Sequence, residues 1–486
     1  MKLEELNPKG VWKNFHALTQ IPRPSGKKEA VGRFLVEYGK SLGLETIQDE
    51  IGNVIIRKPA SAGMEGHPGV ILQGHMDMVP QKNSDVEFDF GKDPIRAYVD
   101  GEWVTAEGTT LGADNGIGVA TAMAVLADDT IQHPALEAFF TVDEETGMYG
   151  AFDLKGGVLQ GKTLINLDSE EEGELYVGCA GGVDATITFD YFCEPVPEGD
   201  KALRVVLKGL KGGHSGCDIN LQRANANKLL FRFLKEAVSE YEARLARVEG
   251  GSLRNSIPRE AEAVLTVPAG GVDDIKQLVD EYEDLFIREF DGVEDNLQLF
   301  AEEVALPAGV IPEEIQDSLI HAMVACPNGV YRMIPEMPDV VETSNNLAMI
   351  STHQLKDNEC RIQICCLTRS SVESRKEEMQ EMIESCFALA GAKVEFSGSY
   401  PGWKPNLNSH ILEVMQQTYK EEFGQEARII TIHAGLECGI IGRNYPGMDM
   451  ISFGPTIKHP HSPDEKVNIQ TVQKFWQFLL ATLKKL

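Results

Sequence analysis

Basic residues are scarce in this 486-residue chain: 45 Lys and Arg stand against 75 Asp and Glu, a formal net charge of −30. A surface that neutralises phosphates needs the opposite balance, so nucleic acid and anionic membranes are excluded as leading partners. The acidity favours solubility and names no substrate. No run of about 18 apolar residues offers a membrane span, and the opening stretch MKLEELNPKGVWKNF lacks the apolar segment of a secretory signal. A cytoplasmic protein is the expectation. The nine cysteines contain no CxxC spacing, which removes a thiolate zinc site; they read as reduced, mostly buried small hydrophobes.

What the chain does contain is ample apolar material, 42% of its residues, enough for sizeable cores in a chain of about three domains' length. From about residue 50 to 180 short apolar runs alternate with Ala-rich or amphipathic stretches, the signature of an α/β domain. Val70–Leu72, Ala138–Val142 and Leu164–Leu167 read as buried strands, and Gly116–Ala127 as helix. After Gly181-Gly182 the strands alternate polar and apolar residues, as in Asp184–Asp190, and an α+β domain is expected. The earlier pattern resumes with a helix over 408–424 and the run Met448–Phe453. The boundaries predicted are 1–186 and 398–486 for one discontinuous α/β domain, with 187–397 inserted into it. Inside the insertion, Ala261–Val267 followed by a helix over 272–289 echoes Glu359–Leu367 followed by a helix over 371–390, either a duplication or a chance likeness of two strand–helix units.

Five polar clusters stand after or between the α/β elements: Gly74-His75-Met76-Asp77, Gly112-Ala113-Asp114-Asn115, Asp143-Glu144-Glu145, Asn166-Leu167-Asp168, and His459-Pro460-His461-Ser462-Pro463-Asp464-Glu465. In sheets of this class ligand sites lie at the carboxyl ends of strands. His75, one of the pair His459 and His461, and several carboxylates form a donor set suited to Zn, Mn or Co. Asp77, two residues beyond His75, can take the second N–H of a ligating imidazole and orient it. Adjacent carboxylates such as Glu144 and Glu145 are ordinarily a solvated turn; buried and ionised together they need cations nearby. One would then bind metal while the other takes a proton from water. Asp114 opens a helix, where it could cap the N-terminus or bridge two cations.

Two motifs mislead. Gly156-Gly-Val-Leu-Gln-Gly161-Lys162-Thr163 fits the P-loop expression, but a strand follows it where a helix should. Gly116-Ile-Gly118 lacks the third glycine and the preceding strand of a dinucleotide fingerprint. His459 and His461, two apart in an extended segment, would face opposite ways, so only one of them can be a ligand.

GHMDMV, LGADNGIG, TVDEETG, INLDSE and HSPDE, in this order, resemble the motifs of the M20 metallopeptidase family, most closely its aminoacyl-histidine dipeptidases. The resemblance implies an α/β/α zinc-peptidase-like catalytic domain with an inserted α+β lid. It also implies two divalent metal ions, Zn or alternatively Co or Mn, and a small peptide as substrate. By the same resemblance His75 and Asp168 hold one metal, Glu145 and His461 the other, and Asp114 bridges them. Glu144 becomes the general base, and Asp77 the acid that orients His75. Lys211-Gly-Gly-His214-Ser-Gly216 matches the lid motif whose His serves the oxyanion. Arg369 matches the clamp for a substrate carboxylate, Asn255 a polar lid contact, and Glu437, in His433-Ala-Gly-Leu-Glu437, a residue near the substrate amino end. The activity implied is hydrolysis of Xaa-His dipeptides, β-alanyl-histidine included. N-acyl amino acid deacylases and tripeptidases of the same family share these ligands, and a non-catalytic metal-binding protein is the rival outside enzymes. A homodimer paired through the lid and a single self-sufficient chain are both compatible with the resemblance.

Overall fold

The computed structural model describes residues 2–356 and 358–486. The chain divides into two compact units: residues 1–179, 403–431 and 436–486 form the first, and residues 180–402 and 432–435 the second. The boundaries expected at 186/187 and 397/398 fall inside the strands Gly181–Phe192 and Lys393–Tyr400. Each of these strands is hydrogen-bonded over its length into the second unit's sheet, so the joints lie just outside them.

The first unit is built on an eight-stranded sheet in the order Glu45–Gln48, Val54–Lys58, Leu136–Thr141, Val70–His75, Thr163–Asn166, Asp449–Ser452, Glu174–Cys179, Arg428–Ile432. Its four middle strands are parallel. Strands covered on both faces read as near-continuous apolar runs, and Val70–His75 and Leu136–Thr141 are buried at every residue, their few polar side chains being hydrogen-bonded. The helix Ala113–Ala127 packs on Val70–His75 and on the helix Lys9–Thr19. Being enclosed on nearly all sides, it needs the small side chains that its sequence supplies. The expected strands and helices are found within a few residues of their predicted places.

The second unit carries a nine-stranded antiparallel sheet. Along it run Gln298–Val304, Asp200–Lys208, Ala261–Pro268 and Arg244–Gly250, then Met337–Lys356, Glu359–Ser370, Gly181–Phe192 and Lys393–Tyr400. Gly329–Ile334 pairs with Met337–Lys356 off this path. The first four strands with the helices Ala226–Tyr241 and Val272–Glu289 make a βαββαβ unit of ferredoxin-like order. The last four, with the helices Glu313–Ala325 and Glu373–Leu389, repeat that order in reverse across the junction of Arg244–Gly250 with Met337–Lys356. The echo seen in the sequence is therefore one part of a larger likeness between two complete halves.

All nine cysteines are free thiols, and six are buried. No helix among the described residues is long and apolar enough to cross a membrane.

Candidate metal centre

The four parallel strands of the first unit deliver their polar sequels to one edge. His75 ends Val70–His75, Glu144 and Glu145 follow Leu136–Thr141, Asp168 follows Thr163–Asn166, and the segment after Asp449–Ser452 leads to His461. Asp114 lies in the first turn of Ala113–Ala127. Glycines permit the close approach of these segments: a Cβ on Gly118 would come 2.5 Å from the Leu167 carbonyl oxygen, and one on Gly74 would collide with the Asn115 side chain.

Two triads result, His75–Asp114–Asp168 and Asp114–Glu145–His461, each with donor atoms within 4.8 Å of one another. His75 Nε2 is 3.0 Å from Asp114 Oδ1 and 3.3 Å from Asp168 Oδ1. His461 Nε2 is 3.2 Å from Asp114 Oδ2 and 3.0 Å from Glu145 Oε2. The two oxygens of Asp114 thus face different histidines, the geometry of a bridging carboxylate. The segment that carries His461 is not the extended strand expected, since His459 and His461 adopt φ of 56° and 59°. Only His461 among these two joins a triad.

Asp77 supports the arrangement from below. Its Oδ1 is 3.4 Å from His75 Nδ1 and accepts the Glu144 N–H at 3.1 Å, while its Oδ2 accepts from the Ser25 hydroxyl at 2.7 Å. The Glu144 carboxylate joins His75 and Glu145 in a third group of converging donor atoms.

The electrostatics fit a cation. Glu145 Oε1 is buried with no hydrogen-bond donor among the described residues, and Asp168 Oδ1, equally buried, meets the His75 ring nitrogen at 3.3 Å; both are costly states for a carboxylate unless a positive charge faces it. Burial, reinforced by neighbouring carboxylates, raises the pKa of Glu144 well above the ordinary range and also raises those of Glu145 and Asp168. His461, hydrogen-bonded to Asp114 and Glu145, is pushed up to about 11, a measure of how strongly this pocket attracts positive charge. Imidazole and carboxylate donors at these spacings suit two borderline divalent ions.

Glu437 opens the helix Glu437–Asn444 and is only 1% exposed. Its Oε2 accepts from Gln73 Nε2 at 2.6 Å and Thr141 Oγ1 at 2.7 Å, its Oε1 has no partner, and burial lifts its pKa to about 7.

The remaining expected residues belong to the second unit. His214 Nδ1 accepts N–H groups from Gly216 at 3.2 Å and Cys217 at 3.0 Å, which leaves the proton of the neutral ring on Nε2, free to donate. Burial and then the Arg369 charge lower its pKa. Arg369 is 5% exposed, and among the described residues its partners are the hydroxyls of Ser215 at 3.4 Å and Tyr400 at 3.0 Å. A buried guanidinium held only by neutral groups retains an unmet charge. His433, absent from the sequence expectations, sits in the same cluster. It is bonded through Nε2 to the Ser344 hydroxyl at 2.8 Å and held neutral, its pKa near 3, by burial and then by Arg369. Asn255 lends its backbone carbonyl to Ser215 N–H at 2.8 Å, and its side chain is exposed.

The P-loop expression is spent on the fold. The amides of Gln160 and Gly161 donate to the Glu137 carboxylate at 2.7 and 2.8 Å, where a phosphate would otherwise have to bind.

Residues 71–485 match the family described as Peptidase family M20/M25/M40. The chain is 47% identical over 485 residues to the cytosol non-specific dipeptidase of Escherichia coli K12, covering 100% of this chain and 99% of that protein. Among solved structures, the aminoacylhistidine dipeptidase of Vibrio alginolyticus superposes with a TM-score of 0.94 at 48% identity, covering 100% of this chain and 98% of that one. The aminopeptidase PepT of Bacillus cereus shares the fold at a TM-score of 0.57 and 17% identity, covering 99% of each chain.

Proposed function

From the premise that this chain belongs to peptidase family M20, we propose that it is a metal-dependent dipeptidase whose preferred substrates are Xaa-His dipeptides, β-alanyl-histidine included. The observation that carries the proposal is the pair of triads sharing Asp114, with the Glu144 carboxylate beside both.

In this proposal His75, Asp168 and Asp114 hold one divalent cation and Glu145, His461 and Asp114 a second, with Zn the first choice and Co or Mn the alternatives. Bound there, the cations would supply Lewis-acid activation of the scissile carbonyl and of a water. Glu144 takes a proton from that water and returns it to the leaving amine. Burial raises its pKa, which suits a group that must hold the proton between the two transfers. Asp77 keeps the His75 ring in register and fixes the start of the Glu144 turn through one carboxylate.

The unmet charge of Arg369 supports its assignment as clamp for the free carboxylate of the substrate. The Nε2–H of His214 supports a role as donor to the oxyanion. Glu437 is assigned to the substrate amino end and Asn255 to a polar contact. A cytoplasmic location, in keeping with the name of the Escherichia coli relative, belongs to the same proposal, and mass in solution decides between monomer and homodimer.

The test is release of free histidine from alanyl-histidine and from N-acetyl-histidine, before and after chelation and metal add-back. Metal-dependent release from the dipeptide alone is expected. Release from the acetylated compound alone would move the chain to the deacylases, and cleavage of tripeptides but not dipeptides to the tripeptidases. No turnover on any of them would favour a metal-binding protein.

A further inference from the structure

Two buried charged residues to which no role has been given tie together the segments that carry His75, Asp114 and His461. Glu465, four residues beyond His461 and 2% exposed, accepts four consecutive backbone N–H groups. Its Oε2 takes those of Leu111 at 2.8 Å and Gly112 at 2.9 Å, and its Oε1 those of Ala113 at 2.7 Å and Asp114 at 3.3 Å. Arg23, also 2% exposed, reaches the same turn from the other side. Its guanidinium donates to the Gly112 carbonyl, and to the carbonyls of Met76 at 3.2 Å and Asp77 at 2.9 Å. One end of the guanidinium therefore holds the strand end that bears His75, while the other holds the turn that bears Asp114.

Glycines make room for this brace. A Cβ on Gly116 would lie 2.5 Å from an Arg23 terminal nitrogen and 2.9 Å from the Phe15 ring, and one on Gly112 would lie 2.6 Å from the same nitrogen. Gly112 and Gly116, the first two glycines of LGADNGIG, thus frame an arginine. Burial works against the Arg23 charge, and Glu465 is the foremost of the acids that sustain it.

We propose that Glu465 and Arg23 are positioning residues of the metal centre, which hold the 111–114 turn so that the two oxygens of Asp114 meet His75 and His461 at once. The proposal rests on the metal-site reading above. Four N–H groups converging on one carboxylate fix a backbone segment far more tightly than a single contact, and a bridging ligand tolerates little displacement because it must satisfy two cations. Groups that orient ligands in this way typically cost about 10- to 100-fold in metal affinity or activity when removed.

The test is titration of metal-free protein with Co²⁺, followed by calorimetry and by the visible spectrum of the ion, in wild type, Glu465→Gln and Arg23→Lys. Glu465→Gln keeps the size of the side chain but turns an amide NH₂ toward backbone donors. Two equivalents of Co²⁺ are expected to bind wild type. In Glu465→Gln at least one equivalent should weaken by roughly tenfold or more, with an altered spectrum and a fall in kcat that exceeds any change in KM. Arg23→Lys, which keeps the charge but loses the fork, should shift the spectrum in the same direction by less. Unchanged affinity and spectrum in both variants would overturn the proposal, even if their melting temperatures fell, since a merely structural role would lower stability and leave the metal centre alone. Should Glu465→Gln fail to fold, Arg23→Lys and Gly116→Ala, whose methyl would displace the guanidinium, carry the same expectation and the same refutation. Co²⁺ binding that behaves as expected in a protein without peptidase activity would uphold the positioning role and reject the dipeptidase reading; no Co²⁺ binding to wild type would reject both.

Discussion

The two units concentrate opposite charges and leave each unmet. In the first, Asp114, Glu144, Glu145 and Asp168 crowd around two histidines, and one buried oxygen of Glu145 has no donor among the described residues. In the second, Arg369 is buried against hydroxyls, and burial together with its nearby charge depresses the pKa values of His214 and His433. Neither cluster is a stable way to bury charge by itself. On the proposed function the contrast divides the chemistry: one cluster would receive cations and activate water, the other would receive an anion and donate hydrogen bonds.

If this division holds, variants of the first cluster should change metal binding or water activation, and variants of the second should change substrate binding or oxyanion stabilisation while both metals stay. Glu144→Gln has the largest expected effect: a fall in kcat of up to about 10⁴-fold, with metal content unchanged, measured by steady-state kinetics and elemental analysis of the same sample. Wild-type turnover would remove Glu144 from the base role. His214→Ala should lower kcat by about 10²- to 10³-fold, as removal of an oxyanion donor does, again with metal content intact; loss of metal instead would mean that the division is wrong. Arg369→Ala should raise KM for a dipeptide by roughly 10- to 100-fold, the worth of a charged hydrogen-bonded contact, and should leave KM for a carboxyl-amidated dipeptide nearly unchanged. An equal rise for both substrates would contradict the clamp. Asp77→Asn has the smallest expected effect, a loss of roughly tenfold in metal affinity, seen by competition with a chelator.

The legible parts of the sequence were those where one local segment carries its own signal. A buried parallel strand is a continuous apolar run, and the polar residues that follow it stand at its carboxyl end, so His75, Glu144, Glu145 and Asp168 could be picked out from strand and cluster together. The all-round burial of Ala113–Ala127 shows in its alanines. The same logic fails where a site is assembled from distant segments. Ser344, Tyr400 and His433 surround the Arg369 and His214 cluster from three separate places in the chain, and none lies in a pattern of its own. His433 was visible only as the first letter of the segment read for Glu437. Arg23 stands in the loop Ile21-Pro-Arg-Pro-Ser25, where only its long-range bonds to residues 76, 77 and 112 disclose its task. The extended geometry assumed for His459–His461 failed because both residues turn into the left-handed region, which no alternation rule foresees. The likeness between the second unit's two halves was half visible, in one strand–helix pair, because the sheet order that completes it is a property of pairing between strands far apart in sequence.

The shared use of Asp114 by two triads is most directly tested by counting divalent cations per chain at saturation, in wild type and in Asp114→Asn. Two per chain in wild type, with loss or strong weakening of both in the variant, is the predicted result. A single cation in wild type, or two that bind the variant as tightly, would contradict a centre bridged by this carboxylate.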